Sequence, residues 1–394
     1  MKVYIIAKAP FPVGMATTQR ISCYAEAIST TGTAVEVIVI RRTEATTHPR
    51  NTEGKGVIGD ISYRYTGNTP IRSDNPFASR ALDVYDRYKA IKYLKHHLEE
   101  GDVVLLYLMD EIAFPRLVIK TAHKKGVPVI RDFCEYPYPQ LSERVYVKWM
   151  RHLYLKTFFK RYDGTICISE SLMEVARQYN PSRHHLKVPI MVRGNLSTAK
   201  HVHERPYIFH GGSMSERKDA IIETIRGFAI ASSRINDQLD FILAGPPSPH
   251  IEELNSIIQA NHLEGHVFFL PILTTEELGK YQRGAFLSIL NKTANVQNIH
   301  GFSNKLGEIL IAGTPIITTT VGEAKYWLKD GESAFIVSPH NPQLISDKII
   351  EAYNNEELRR KIGENGKKVA IRYFNTTCQG DRLSSFLKEI SLKS

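Results

Sequence analysis

Short apolar runs alternate along this chain with longer stretches of helical periodicity. Val3–Ala7, Ala34–Ile40, ISYRYTG (61–67), Asp102–Leu108, Val127–Phe133 and Thr165–Ser169 predict strands, mostly apolar on both faces as in a covered parallel sheet. Thr17–Thr30, Ser79–Glu100 and Arg144–Arg161 predict helices, the first ended by Gly32. The polar stretch Arg41–Asp60 reads as a mobile loop, and Leu186–Val192 closes the first half. RGNLSTAKHVHER (193–205) has no apolar period and is expected to be a linker. A second alternation follows: YIFHGG, a helix from Lys218, LDFILAG, a helix from Ile251, HVFFLP, a helix from Thr275, AFLSIL, a helix from Ser303, TPIITT and SAFIVS. Such alternation implies right-handed βαβ units. The expected fold is α/β, two Rossmann-like doubly wound domains (1–192 and 206–375) facing each other across a cleft. The last segment, 376–394, is expected to be a helix crossing back to the first domain.

Composition narrows the chemistry. No apolar run reaches the ~18 residues of a membrane span, and MKVYIIAKAPFPVG reads as a first buried strand rather than a signal peptide. The four cysteines are scattered without a CxxC pair, which fits a reducing cytosol and no zinc site. A net charge of +10 suggests an anionic partner. No helix-turn-helix, RNP or zinc-finger pattern points to nucleic acid, and no GxGxxG follows the first strand, which disfavours a dinucleotide enzyme.

The densest candidate chemistry is AFLSILNKTANVQNIHGFSNKLGEILIAGTP. A strand, a loop over 291–301 and a helix capped by Ser303 or Asn304 and ended by Gly313 place free N–H groups and a helix dipole beyond a strand's carboxyl end. Lys305 adds charge in the first turn. Glu308, one turn on, would suit two ribose hydroxyls. A capped surface helix with a Lys–Glu pair is the competing reading.

The stretch GFSNKLGEILIAGTP, with Gly301, Phe302, Ser303, Asn304, Lys305 and Glu308, resembles the signature of the GT4 family of retaining glycosyltransferases, which have the GT-B fold. The family's first glutamate is replaced by His300, while Glu308 matches the second. HGGSMSERKD resembles the family's phosphate loop: Gly211 and Gly212 match its glycines, Lys218 its lysine, and Ser213 stands where an arginine is usual, with Arg217 as substitute. VFFLPILTTEEL resembles the segment holding the nucleobase through backbone at Pro271 and Ile272, and TTTVGEA the loop that closes over the donor. PFPVGMATTQR resembles the loop in which Gly14 lets the backbone approach the donor; a tight turn before a helix is equally compatible. In RDFCEYPYP, Glu135 matches an E-Y-P triplet. The resemblance implies Glu135 and His300 as reaction-centre residues; capping of the following helix is the alternative for Glu135.

The function implied is transfer of a sugar from a nucleoside diphosphate sugar to a glycan or lipid-linked acceptor hydroxyl, with retention, in surface polysaccharide or glycoconjugate assembly. No metal is expected, because no DxD carboxylate pair stands in a suitable loop, and no cofactor beyond the nucleotide sugar. Arg144, Lys148, His152, Lys156 and Lys160, interleaved with aromatics, suggest contact with an anionic membrane surface. A cytoplasmic protein, peripheral on the inner face of the membrane, would follow. A non-catalytic sugar-nucleotide-binding subunit and a GT-B epimerase are the alternatives.

Overall fold

A computed structural model describes residues 1–137, 144–193 and 199–392. The chain divides into two compact units, Met1–Met191 with Thr376–Ser394, and Val192–Asn375.

In the first unit the elements run β1 (Lys2–Ala7), α1 (Ala16–Ser29), β2 (Ala34–Val39), β3 (Lys55–Ile58), β4 (Ile61–Tyr65), α2 (Pro76–His97), β5 (Val103–Tyr107), α3 (Ala113–His123), β6 (Val129–Phe133), α4 (Val145–Leu153), β7 (Gly164–Cys167), α5 (Glu170–Tyr179) and β8 (His184–Lys187). They build one sheet in the order β3-β4-β2-β1-β5-β6-β7-β8, parallel except for β3 on β4. Strands β5 and β6 are buried at every position, which is why their sequences do not alternate. Helix α2 starts where Pro76 fixes the first turn and the Asn75 side chain accepts the N–H groups of Phe77 and Ala78.

Three expectations change here. The polar stretch 41–60 is not a plain loop: β3 forms a hairpin with β4, and buried Glu44 accepts the Arg50 N–H at 3.0 Å. Polar composition hid this because β3 is an exposed edge strand with no apolar face to pattern. The helix expected over 144–161 is α4 followed by a π turn (Tyr154–Phe158) and a 3-10 turn (Phe159–Arg161). Residues 199–205 of the expected linker lie on the second unit: Arg283 donates to the Ala199 carbonyl at 2.8 Å, and His201 stacks on Tyr281 at 3.8 Å. Residues 194–198 lie outside the described residues.

The second unit runs β9 (Tyr207–Gly211), α6 (Glu216–Asp219), α7 (Ile221–Arg234), β10 (Asp240–Ala244), α8 (Ile251–Ala260), β11 (Val267–Leu270), α9 (Thr275–Gly284), β12 (Leu287–Leu290), α10 (Val296–His300), α11 (Asn304–Ala312), β13 (Ile316–Thr319), β14 (Phe335–Val337), α12 (Pro342–Asn354) and α13 (Glu356–Val369). Its six strands are all parallel, in the order β11-β10-β9-β12-β13-β14. The order reverses between β9 and β12, the switch point beyond whose carboxyl ends open α/β sheets bind ligands. Phe228, Phe241, Leu243, Ile289, Ile317 and Phe335 fill the core beneath it. The final helix, α14 (Thr376–Leu392), packs on α1 of the first unit. A Cβ on Gly380 would stand 2.7 Å from the Ala27 carbonyl oxygen, and Thr31 and Ser384 share a hydrogen bond at 2.8 Å.

Candidate functional site

The sequence folds the switch point of the second unit around one buried carboxylate. Strand β9 ends at Gly211, and the single turn α6 brings Asp219 back beneath the strand ends. Asp219 is buried and takes the Lys292 ammonium at 2.6 Å on one oxygen. Its other oxygen accepts from Lys305 at 2.9 Å and from the Ser213 hydroxyl at 3.0 Å. Burial by itself would raise the Asp219 pKa, but the Lys292 and Lys305 ammoniums outweigh it and hold the carboxyl well below the usual carboxylate range. Burial lowers the Lys305 pKa, with Asp219 opposing.

Gly212 makes this arrangement sterically feasible. At φ +127° it offers a bare backbone on which the Lys305 stem lies; a Cβ there would stand 2.3 Å from Lys305 Cε and 2.5 Å from Nζ. His210, at the end of β9, is buried, with its ring nitrogens 3.3 Å from the Ile289 and Ser213 carbonyls. Burial first, and Lys305 second, push its pKa down to about 4, so the imidazole is neutral at pH 7.

That depression has a consequence for stability. The unfolded chain takes up the His210 proton before the folded one does, so stability is lost as pH falls from about 6.5 toward 4. About 2 kcal/mol is expected to go between pH 7 and pH 5. Urea unfolding followed through Trp327 emission in a Trp149→Phe background at both pH values tests this. His210→Asn should remove most of the slope, and an unaltered slope would assign it to other groups.

The loop after β12 is tied to the α6 turn. The Arg217 carbonyl accepts from Thr293 at 2.7 Å and from Asn295 at 2.6 Å, and Asn298 donates to the Lys218 carbonyl at 3.2 Å. The segment 291–301, expected as loop, contains the short helix α10, capped by the Asn295 side chain. The turn expected as the start of a continuous helix at Lys218 breaks at Ala220, a left-handed residue (φ 42°), after which α7 begins with Glu216 accepting the Ile222 N–H at 2.8 Å.

The sequence-predicted residues fall into three sets. Gly211, Gly212, Ser303, Asn304, Lys305 and Glu308 gather at or beside the switch point; Ser303 stands at the N-cap of α11 without a side-chain cap hydrogen bond, and Gly313 ends the helix at φ 77°. Lys305 pairs with Asp219, which corrects the simple Lys–Glu surface pair. Arg217 and Lys218 are exposed on α6, and Arg217 donates to the Gln297 side chain at 3.2 Å. His300 and Gly301 close α10, partly buried. The Phe302 side chain is buried against Trp327 and Phe374, so it can offer a ligand only its backbone. Pro271 and Ile272 are exposed beyond the end of the edge strand β11. In the TTTVGEA loop, a Cβ on Gly322 would stand 2.4 Å from the Asn298 carbonyl oxygen, so that loop closes on the 298–301 turn.

Gly14 and Glu135 belong to the first unit. A Cβ on Gly14 would stand 2.0 Å from the Thr18 hydroxyl oxygen, whose own hydrogen bond to the Pro10 carbonyl (2.6 Å) closes the loop onto α1. Close packing of this turn therefore demands the glycine. Glu135 is partly exposed just past β6. The N-cap residue of α4 is Arg144. Tyr138 and Pro139 of the same motif lie outside the described residues.

Sequence reasoning missed Asp219, Lys292 and His210. His210 and Asp219 begin and end the HGGSMSERKD run, and Lys292 lies two residues past the end of β12. Only the fold shows that they meet.

Residues 197–369 match the family described as glycosyl transferases group 1. An uncharacterized glycosyltransferase of Methanocaldococcus jannaschii is 27% identical over 128 residues, covering 32% of this chain and 34% of that protein. The capsular polysaccharide biosynthesis glycosyltransferase CapM of Staphylococcus aureus is 37% identical over 93 residues, 23% of this chain and 24% of CapM. The chain thus spans about a third or less of the length of these curated relatives. Among solved structures, sucrose-phosphate synthase from Thermosynechococcus elongatus superposes with a TM-score of 0.75 at 16% identity, covering 100% of both chains. Anabaena HepE in complex with UDP superposes with a TM-score of 0.71 at 14% identity, over 99% of this chain and 100% of that one. The chain therefore has the two Rossmann-like domains of the GT-B glycosyltransferase fold, and its residues 197–369 match the glycosyl transferases group 1 family.

Proposed function

We propose that the protein transfers a sugar from a nucleoside diphosphate sugar to an acceptor hydroxyl, and that the second unit holds the donor. The observation that carries the reading is the pair of lysines, Lys292 and Lys305, gathered on buried Asp219 at the β9/β12 switch point. Two ammoniums beside the first turn of α11 suit a diphosphate, and they can meet the negative charge that grows on it as the sugar leaves. Glu308 is read as the ribose carboxylate, with Pro271 and Ile272 beside the base and Lys218 and Arg217 reaching the phosphates from α6. HepE binds UDP in a protein of the same fold.

The finer reading is a metal-independent, retaining GT4-type reaction in surface polysaccharide or glycoconjugate assembly, on a glycan or lipid-linked acceptor. Glu135 and His300 are its reaction-centre candidates. The protein would work at the inner face of the membrane, with Arg144–Arg161 toward anionic lipid.

Lys218→Ala and Glu308→Ala are each expected to weaken UDP or GDP binding about tenfold by calorimetry, the scale of one hydrogen bond to a charged group. Unchanged affinity in both would remove the site. A second reading, a non-catalytic binding subunit, is favoured by His300 and Ser213 standing where a glutamate and an arginine are usual. Transfer or hydrolysis assays with a panel of UDP- and GDP-sugars separate the two. Tight nucleotide binding without turnover would establish the subunit, and C-2 or C-4 inversion without transfer would establish an epimerase.

A further inference from the structure

The first unit carries an unpartnered apolar stripe that the donor chemistry does not use. Along the exposed side of α2, Phe77, Ala81, Val84, Tyr85 and Tyr88 recur at the spacing of one helical face. Phe77 is 80% exposed, Val84 70% and Tyr88 64%. A folded monomer rarely leaves so continuous an apolar row in water.

Topology extends the stripe into a surface. The connections β4-α2-β5, β5-α3-β6 and β6-α4-β7 all step the same way across a parallel sheet, so right-handed crossovers put α2, α3 and α4 on one side of it. The step β1-α1-β2 runs the other way and puts α1, with α14, on the opposite side. On the α2–α4 side, α3 exposes Leu117, and α4 exposes Val145, Tyr146 and Trp149. Basic charge is concentrated on α3 and α4, while α2 carries Asp83 and Asp86, and α5, on the same side by the β7-α5-β8 step, carries Glu170 and Glu174. From Ile112 to Arg131, and again from Arg144 to Arg161, the sequence has Lys and Arg but no Asp or Glu.

We propose that this face of the first unit, anchored by the α2 stripe, docks on an anionic lipid bilayer. Apolar and aromatic side chains in rows between basic ones match the apolar interior and charged headgroups of such a surface. Charge complementarity favours a bilayer over a second copy of the chain, because pairing two such basic faces would set like charges against each other. The inference deepens the transfer reading by adding an apolar anchor to the basic contact at Arg144–Arg161, and it rests on that reading only for the idea that the acceptor is lipid-linked.

The test uses the full chain. Co-sedimentation with phosphatidylcholine vesicles containing about one-third phosphatidylglycerol is expected at low salt, with little binding to phosphatidylcholine alone. Trp149 is one of two tryptophans. In a Trp327→Phe background its emission should shift to the blue when anionic vesicles are added. The Phe77→Ser/Tyr88→Ser variant, altered only at exposed positions, is expected to bind anionic vesicles about tenfold or more weakly. Three results overturn the proposal: no vesicle binding by the parent, undiminished binding by that variant, or a concentration-dependent dimer that the same variant abolishes. UDP binding measured on the same samples depends on the second unit. Its absence alongside intact vesicle binding would therefore sink the donor site and leave the docking face standing.

Discussion

Replacing Asp219 with alanine is expected to cost the second unit about 3 kcal/mol, the low end of the loss when one partner of a buried ion pair is removed. The low end applies because the Lys292 and Lys305 side chains keep 15% and 24% of their exposure. The loss comes from stranding two ammoniums without their counter-charge, so Asp219→Asn, which keeps the shape but not the charge, should recover little of it. The two tryptophans allow the effect to be localised: Trp149 lies in the first unit and Trp327 in the second. Urea unfolding in a Trp149→Phe background should show the midpoint moving, while Trp149 emission in a Trp327→Phe background should report a first unit of unchanged stability. Saturating UDP or GDP should restore part of the loss in Asp219→Ala, because phosphate oxygens replace the missing carboxylate and binding to the folded state alone stabilises it. An unmoved midpoint would mean that the lysines do not depend on Asp219.

Gly212→Val is expected to weaken nucleotide diphosphate binding by roughly a hundredfold, about 3 kcal/mol, the upper range for a hydrogen bond to a charged group. The valine Cβ must occupy the space of the Lys305 stem, 2.3 Å from its Cε, at a φ of +127° that β-branched residues avoid. Lys305 would be driven off Asp219 and away from the first turn of α11. Lys305→Ala removes the same ammonium without backbone strain. If the displaced lysine is the cause, both variants lose similar affinity and both lose the Lys305–Asp219 contact, while Gly212→Val loses further stability through backbone strain. Calorimetric titration of both, beside thermal unfolding, makes the comparison. Native affinity in Gly212→Val would show that the position of Lys305 does not govern binding.

The sequence alone determined the strand–helix alternation, hence two doubly wound α/β halves. The central strands are short and largely apolar because parallel strands are covered on both faces, with Arg131 and Asp132 of β6 as buried exceptions. The sequence also marked Ser303, Lys305 and Gly313 by helix-terminal chemistry, which acts over a few neighbouring positions, while Gly212 was marked only by the resemblance. Composition failed where an element lacks a buried face, as with edge strand β3, and where tertiary ties override polarity, as at 199–205. The tertiary structure decided what those residues meet. Asp219 and Lys305 lie 86 positions apart, and Asp219 and Lys292 73, so no window of sequence shows their pairing. The same holds for the order of strands, which puts β9 beside β12, and for α14, whose place on α1 depends on a contact made across nearly the whole chain. Long-range pairing is chosen by how whole layers close over a core, and that choice is a property of the fold rather than of any local run of residues.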